Sequence, residues 1–153
     1  MNCDTDLFEF VISNFPTFKD ERNYDEKIIY FYKLAQLLTS DILHLRKELE
    51  NITVDYSYLV GCSDYKIPQV LRGLGILEYN EELADIVDNQ CEILENSKYE
   101  VEIRASMIVA INMINKKISG KISSIDINDM IWVMGQDKTR KLKPYNLTRT
   151  LNY

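Results

Sequence analysis

The sequence predicts an all-α fold packed as one helical domain over residues 1–153. Three observations predict it. Apolar residues recur at spacings of three and four in every long apolar segment, the period of a helix face. The helical stretches are bounded by residues suited to helix ends, among them Pro16, Pro68 and Asn80. The β-branched and aromatic run ITVDYSYLV, within 51–60, has no second strand to pair with and reads as an extended connector.

The elements follow in order. Leu7, Phe10, Val11 and Phe15 mark a first helix, which Asn14-Phe15-Pro16 ends, because proline disfavours helix in the residue before it. TFKDERNYDEK reads as a loop. The longest helix is expected over about 26–50, with Phe31, Ala35, Leu38, Ile42, Leu45 and Leu49 as its buried stripe and the charged LRKELE turns exposed. Gly61-Cys62-Ser63 marks a turn. Pro68 suits the first turn of a short helix, PQVLRGL, which Gly73 and Gly75 allow to stop sharply. Asn80 is an N-cap candidate for EELADIVDN, whose leading acids complement the helix dipole. Helix, glycine turn and helix together outline a helical hairpin. Residues 99–118 form a long amphipathic helix burying Ile103, Met107, Ala110, Ile111 and Ile114. SGKISS is a loop, and Ser124 or Asp126 caps a last helix through Met130, Ile131 and Trp132 to about Met134. The expectation is about six helices, with two long ones as the spine.

Composition narrows the function. An apolar share of 46% over 153 residues suffices for one domain with a real core. The net charge of −6 counts against a nucleic-acid duplex as partner, since such binders present a basic face to phosphates. The acids of the hairpin helix, such as Glu81, Glu82 and Asp85, count the same way. After Asp137 the charge turns basic (Lys138, Arg140, Lys141, Lys143, Arg149), which reads as a solvated terminal segment or a contact for one phosphate. Cys3, Cys62 and Cys91 are odd in number, far apart and without CxxC spacing, against a disulfide framework or zinc site and in keeping with a reducing compartment. His44 has no HxxxH partner and reads as a helix-surface or packed residue. The start MNCDTDLFEF does not read as a signal peptide, and no apolar run reaches the roughly 18 residues that span a bilayer. The expected setting is cytoplasmic, with no membrane partner.

Several stretches, in order, carry a resemblance. SNFPTFKDERNYDEKIIYFYKLAQLLTSDI contains an FP-aromatic-basic-D element and FYK-x-AQ. SDYKIPQVLRGLGILEYNEELADIVDN is close to ADYR-[LV]-PQ-x-L-x-x-LG-x-L-x-Y-S. YEVEIRASMIVAINMI contains EVEIR-A. NDMIWVMGQD is similar to D-aromatic-aromatic-LW, and PYNLTRTLNY to a closing P-F-x-x-x-R-x-x-x-Y. Together, from about Leu7 to Tyr153, they resemble the C-terminal part of the queuosine salvage family. The resemblance implies a fold related to helix-hairpin-helix DNA glycosylases. It implies hydrolysis of queuosine 5′-monophosphate to queuine and ribose 5-phosphate, with no metal or organic cofactor. Family members are much longer, so it also implies an N-terminal-half protein partner for one half of a split enzyme. The alternative is a truncated, non-catalytic remnant that binds queuine or its nucleotide.

The chemistry selects residues. Cleaving an N-glycosidic bond builds positive charge on the ribose and needs an anion near the anomeric carbon. Asp64 matches the acid the resemblance assigns that role, as nucleophile, electrostatic stabiliser or base; by position alone it is a turn or helix-capping acid. Lys33, among apolar and aromatic neighbours in IYFYKLAQLL, either snorkels to solvent, binds phosphate or holds Asp64 ionised. Tyr65, next in the same motif, joins the substrate-binding set. Glu100 and Arg104 share a helix face, so Arg104, with Glu102, is expected to brace the site from behind. Asn128 stands where the family has a base-binding Asp, and Asp129 and Met130 where it has two aromatics. Trp132 is either a stacking platform for the base or core, and its apolar stripe favours core. The expected geometry is Lys33 and Asp64 on two walls of one pocket, an open cleft with apolar residues along one rim.

Overall fold

The structure, a computed structural model, describes residues 3–152. Met1, Asn2 and Tyr153, which carry part of the reading of the amino terminus and of the closing motif, lie outside the described residues, as does the side chain of Cys3.

Helix α1 (Cys3–Asn14) stops where the proline requires, and Pro16–Phe18 adds one 3₁₀ turn. The chain then departs from the all-helical expectation. Strands β1 (Glu21–Tyr24) and β2 (Lys27–Tyr30) form an antiparallel hairpin with Arg22 opposite Ile29. It lies in the segment read as a loop and the start of the long helix. Its two turn residues, Asp25 and Glu26, take φ of 45° and 63°. A two-residue hairpin of this hand normally uses Asn-Gly or Gly-Gly, so the turn carries no such sequence signal. The class is therefore mostly helical with one two-stranded hairpin, and no larger sheet occurs among the described residues.

Helix α2 runs Lys33–Glu50, starting after Tyr32 in a left-handed conformation. Its buried face is Lys33, Ala35, Gln36, Thr39, Ser40 and Leu43. Of the expected stripe, Phe31 and Ala35 are buried, whereas Leu45 and Leu49 are 54% and 76% exposed. Gln36 is buried here because the end of the connector needs a partner: its Oε1 accepts from Val60 N (2.8 Å) and Gly61 N (3.2 Å). The connector itself forms no strand, as expected.

Helices α3 (Lys66–Gly73) and α4 (Glu81–Asp88) make the anticipated hairpin, and Asn80 accepts from Leu83 N at 2.8 Å as its N-cap. Helix α5 (Lys98–Lys117) starts at the Ser97 cap. Helix α6 (Ser124–Gln136) is capped by Ser123, not by Ser124 or Asp126.

Helices α3, α5 and α6 share a core of Ile67, Val70, Leu71, Met107, Ile111, Ile127 and Ile131. Gly135 lets α6 approach α3, since a Cβ there would lie 3.0 Å from Val70 Cγ2. A second cluster, Leu43, Tyr56, Leu59, Cys62 and Ile125, ties α2 to the connector and to the start of α6. A third seats α4 on α5 through Leu83, Val87, Ile93 and Ile103. Among the described residues no helix is long and apolar enough to cross a membrane.

Candidate functional site

Asp64 ends a buried four-residue turn that three helices hold in place. Gly61 opens it at φ 122°, and a Cβ there would also crowd Ile111 Cδ1 at 3.2 Å, so only glycine fits comfortably. Gln36 of α2 accepts the Gly61 N–H. Asn128 Oδ1 of α6 accepts from Cys62 N at 3.0 Å. Arg104 of α5 donates through Nε to Ser63 Oγ at 3.1 Å. Asp64 Oδ1 accepts from Lys66 N at 2.8 Å, so the turn reading is correct: this oxygen starts α3. The other oxygen does something else. Asp64 Oδ2 lies 3.5 Å from Lys33 Nζ, with both side chains about one-tenth exposed at 11% and 10%. Lys33 therefore does not snorkel.

Lys33 is placed by Asp20, whose Oδ2 accepts from its backbone N at 3.3 Å. Asp20 is buried and binds Arg104 through both oxygens, Oδ1 accepting from Nη1 at 3.0 Å and Oδ2 from Nη2. Arg104 Nη1 also donates to Glu100 Oε1 at 3.1 Å, and its guanidinium lies 4.1 Å from the Phe31 ring centre. Arg22 of β1 completes the cluster, 3.3 Å from Asp20 and 3.4 Å from Glu100. Arg104 thus joins the foot of α2, the hairpin and the Asp64 turn. Glu100 is its acidic partner. Glu102 instead accepts from Tyr24 Oη at 2.6 Å, with Lys98 Nζ at 3.8 Å.

Tyr65 sits beside Asp64, its ring centre 4.7 Å from that of Tyr145. Lys66 Nζ lies 5.2 Å from the Tyr145 ring and 5.8 Å from that of Tyr65. Gln69 Nε2 donates to Lys143 O at 2.6 Å, fastening the carboxy-terminal segment over the start of α3. Partial burial, with the Asp64 charge second, raises the Tyr65 hydroxyl above its usual pKa.

Asn128 is partly engaged, and Trp132 is placed differently from the core position its stripe suggests. Both ends of the Asn128 amide are engaged within the protein, since Nδ2 donates to Asp129 Oδ1 at 3.1 Å. Trp132 is 43% exposed, off the buried face formed by Ile125, Ile127, Asn128 and Ile131, so it is not core. Cys62, next to the site, is a poor nucleophile at neutral pH because burial pushes its thiol up to about 12. His44 is packed, 3.3 Å from both Ser40 Oγ and Asp126 Oδ1.

The open apolar cleft also lies elsewhere. An apolar cavity of about 870 Å³ runs between the β-hairpin and the outer face of α5 and does not include Asp64 or Lys33. At 3.6 residues per turn, Met113 in its wall points to the opposite side of α5 from Arg104.

Sequence reasoning missed Asp20 and Tyr145 as site residues. Asp20 is the acid of FPTFKD and Tyr145 the aromatic of PYN, both inside motifs that were recognised without a role for these side chains. Chemically, the site offers a fixed carboxylate against a cation, two neighbouring aromatic rings and a second ammonium. Those groups suit a developing cation, a flat base and an anion.

A model of the family described as "Queuosine salvage protein" matches residues 2–153. Relatives named queuosine 5′-phosphate N-glycosylase/hydrolase include proteins of Sphaerobacter thermophilus (34% identical), Dictyostelium discoideum (31%) and Mus musculus (30%). Each match covers 96% of this chain and 47% of the relative, so the chain spans about half the length of the curated relatives it matches. A family match along nearly every residue, including the Asp64 turn and its supports, establishes that the chain belongs to the queuosine salvage protein family.

Proposed function

We propose that this chain carries the reacting carboxylate of an N-glycosidase that hydrolyses queuosine 5′-monophosphate and releases queuine. The observation that carries the reading is the Asp64–Lys33 pair: a nearly buried carboxylate with one oxygen accepting from Lys66 N and the other facing an ammonium. As the C1′–N bond breaks, positive charge grows on the ribose, and Asp64 stabilises it from a fixed position. Water supplies the oxygen that C1′ gains, and its proton leaves with the base. Lys33 holds the Asp64 carboxylate in place, its Nζ 3.5 Å from Oδ2. Tyr65 and Tyr145 provide the flat apolar surface for the base, and Lys66 the positive charge for the phosphate.

The names of the relatives support this substrate class. The α3–α4 hairpin supports kinship with helix-hairpin-helix glycosylases. The unpaired Cys62 and Cys91 support a reducing, cytoplasmic setting. The three interlocking core clusters support one domain over 1–153. The full active site includes a second protein half, a reading supported by the 47% coverage of the relatives.

The engagement of Asn128 within the protein favours a second reading, a non-catalytic nucleotide-binding remnant, because one acceptor site and one donor of its amide are already held by Cys62 N and Asp129. Single-turnover release of queuine from queuosine 5′-monophosphate, followed by chromatography, separates the two. On the first reading Asp64→Asn lowers the rate by about 10²–10⁴-fold. Release that does not depend on Asp64 rejects the catalytic assignment, and binding without release supports the remnant.

A further inference from the structure

Helix α5 has an outer face that does not suit water. Its inner face is filled by Arg104, Met107 and Ile111, and an ordinary surface helix would turn polar residues outward. Instead Val109 is 57% exposed and Met113 65%. The groove they line continues across Ile29 of the hairpin and Ile76 of the α3–α4 turn. A contiguous apolar surface of this size on a soluble protein marks an interaction site.

The shape and chemistry of the groove identify its occupant. A small-molecule pocket carries a few convergent polar groups. Here the lining is mostly aliphatic, with Ser106 as the one uncharged polar side chain on its α5 wall and Tyr24 at the hairpin, bonded to Glu102. The two charged residues stand at opposite ends, Glu102 near the start of α5 and Lys117 at its end. At 1.5 Å per residue they are about 22 Å apart, the length of a four-turn helix. Relatives of this family are about twice as long as the matched region, so each carries a further half that this chain does not span.

We propose that this groove docks an amphipathic helix from the half of the queuosine salvage fold that this chain does not span. The helix lays an aliphatic stripe on Val109, Met113, Ile29 and Ile76, with a cation toward Glu102 and an acid toward Lys117. The identity of the occupant rests on the family reading. The groove lies across α5 from Arg104, so docking completes the fold from behind the Asp64 turn.

The test uses the 153-residue chain and, as probe, the unmatched half of the Sphaerobacter thermophilus relative made as a separate polypeptide. Sedimentation of the mixture should show a 1:1 complex. Val109→Asp combined with Met113→Asp should weaken it by at least about 100-fold, because a charge must then be buried at the centre of the contact. Leu49→Asp, on the exposed end of α2, should leave it unchanged, and circular dichroism should show both variants folded. Absence of a complex, or one indifferent to the groove substitutions, overturns the proposal. So does a dimer of this chain alone that the groove substitutions dissociate, since a second copy would then be the occupant. Asp64→Ala should abolish queuine release without altering the complex, so failure of the catalytic reading and failure of docking are separately visible.

Discussion

Replacing Asp20 tests whether the buried ion network sets the site. Asp20 is 1% exposed. Its carboxylate receives both terminal nitrogens of Arg104, Nη1 of Arg22 at 3.3 Å and the backbone N–H of Lys33 at 3.3 Å. Asp20→Ala removes the acid that two buried guanidinium groups share. Breaking a buried pair from one side costs about 3–5 kcal/mol, because the remaining charge stays desolvated. Asp20→Asn keeps the shape and one acceptor and should cost less, about 1.5–3 kcal/mol, the worth of a hydrogen bond to a charged group. Urea unfolding followed by far-UV circular dichroism measures both. A double-mutant cycle with Arg104→Met isolates the pair and should return a coupling of at least about 1.5 kcal/mol. On the proposed catalytic reading, queuine release should fall in the same order, Ala below Asn, because the loosened partner is the foot of Lys33. If Asp20→Ala unfolds within about 0.5 kcal/mol of the parent, as an ordinary surface change would, the network does not hold the site and this account of it is wrong.

Two further outcomes follow from the turn that carries Asp64. A thiol reagent at pH 8 should label exposed Cys91 and spare Cys62, whose thiol is buried and pushed up to about 12, until the protein unfolds; peptide mass mapping reads each site, and equal labelling of the two in the native state contradicts the burial. Gln36→Leu removes the acceptor shared by Val60 N and Gly61 N and should cost about 2–4 kcal/mol in urea unfolding, since two inward-facing N–H groups lose their partner; a neutral substitution would mean the connector is held by other contacts.

How much of this was legible in the sequence depends on which force dominated each segment. Where apolar periodicity and caps agreed, the reading was sound: Asn80 capping α4, the proline ending α1, and Ile103, Met107, Ala110 and Ile111 on the inner face of α5. The convergence of Lys33 and Asp64 was also legible, because an ammonium among aromatic residues needs an acid or water. The β-hairpin was not. Its turn, Asp25-Glu26, lacks the glycine or asparagine that normally announces a left-handed pair, and KIIYFY continues smoothly into a helical spacing. The buried face of α2 was misread for a related reason. Gln36, Thr39 and Ser40 are polar, and only the tertiary structure shows that the connector approaches there. Trp132 was drawn into the core by its apolar neighbours, although α6 rotates it outward. The position of the large groove could not be read at all. It depends on which face of α5 the hairpin leaves uncovered.

Asn128 and Asp129 act as one bonded pair, and this makes a prediction. The D-aromatic-aromatic-LW motif that this stretch resembles has an acid at the first position and an aromatic residue at the second. Here an amide precedes an acid, and Asn128 Nδ2 donates to Asp129 Oδ1 at 3.1 Å. Burial raises the Asp129 carboxyl above its ordinary value, and the Asn128 hydrogen bond pulls it back. An acid at 129 therefore needs a donor at 128. Asn128→Asp alone would keep the acceptor for Cys62 N but set a second carboxylate against Asp129. The donor bond, worth about 1.5–3 kcal/mol, would be lost. Like-charge repulsion would add to this, reduced because Asp129 is partly solvated. The pair would hold a proton more tightly when folded than when unfolded. Its cost should thus be small below the ordinary carboxyl value of 3.8 and grow as pH rises through the raised folded value. At pH 7 a loss of about 2–3 kcal/mol is expected, mostly absent at pH 4. Asn128→Asp combined with Asp129→Phe, which restores the family order, should recover most of it. Urea midpoints of the three proteins at both pH values decide the matter. A loss equal at pH 4 and pH 7, or one the second substitution does not relieve, would show that the two positions act independently and that Asn128 has some other reason to be an amide.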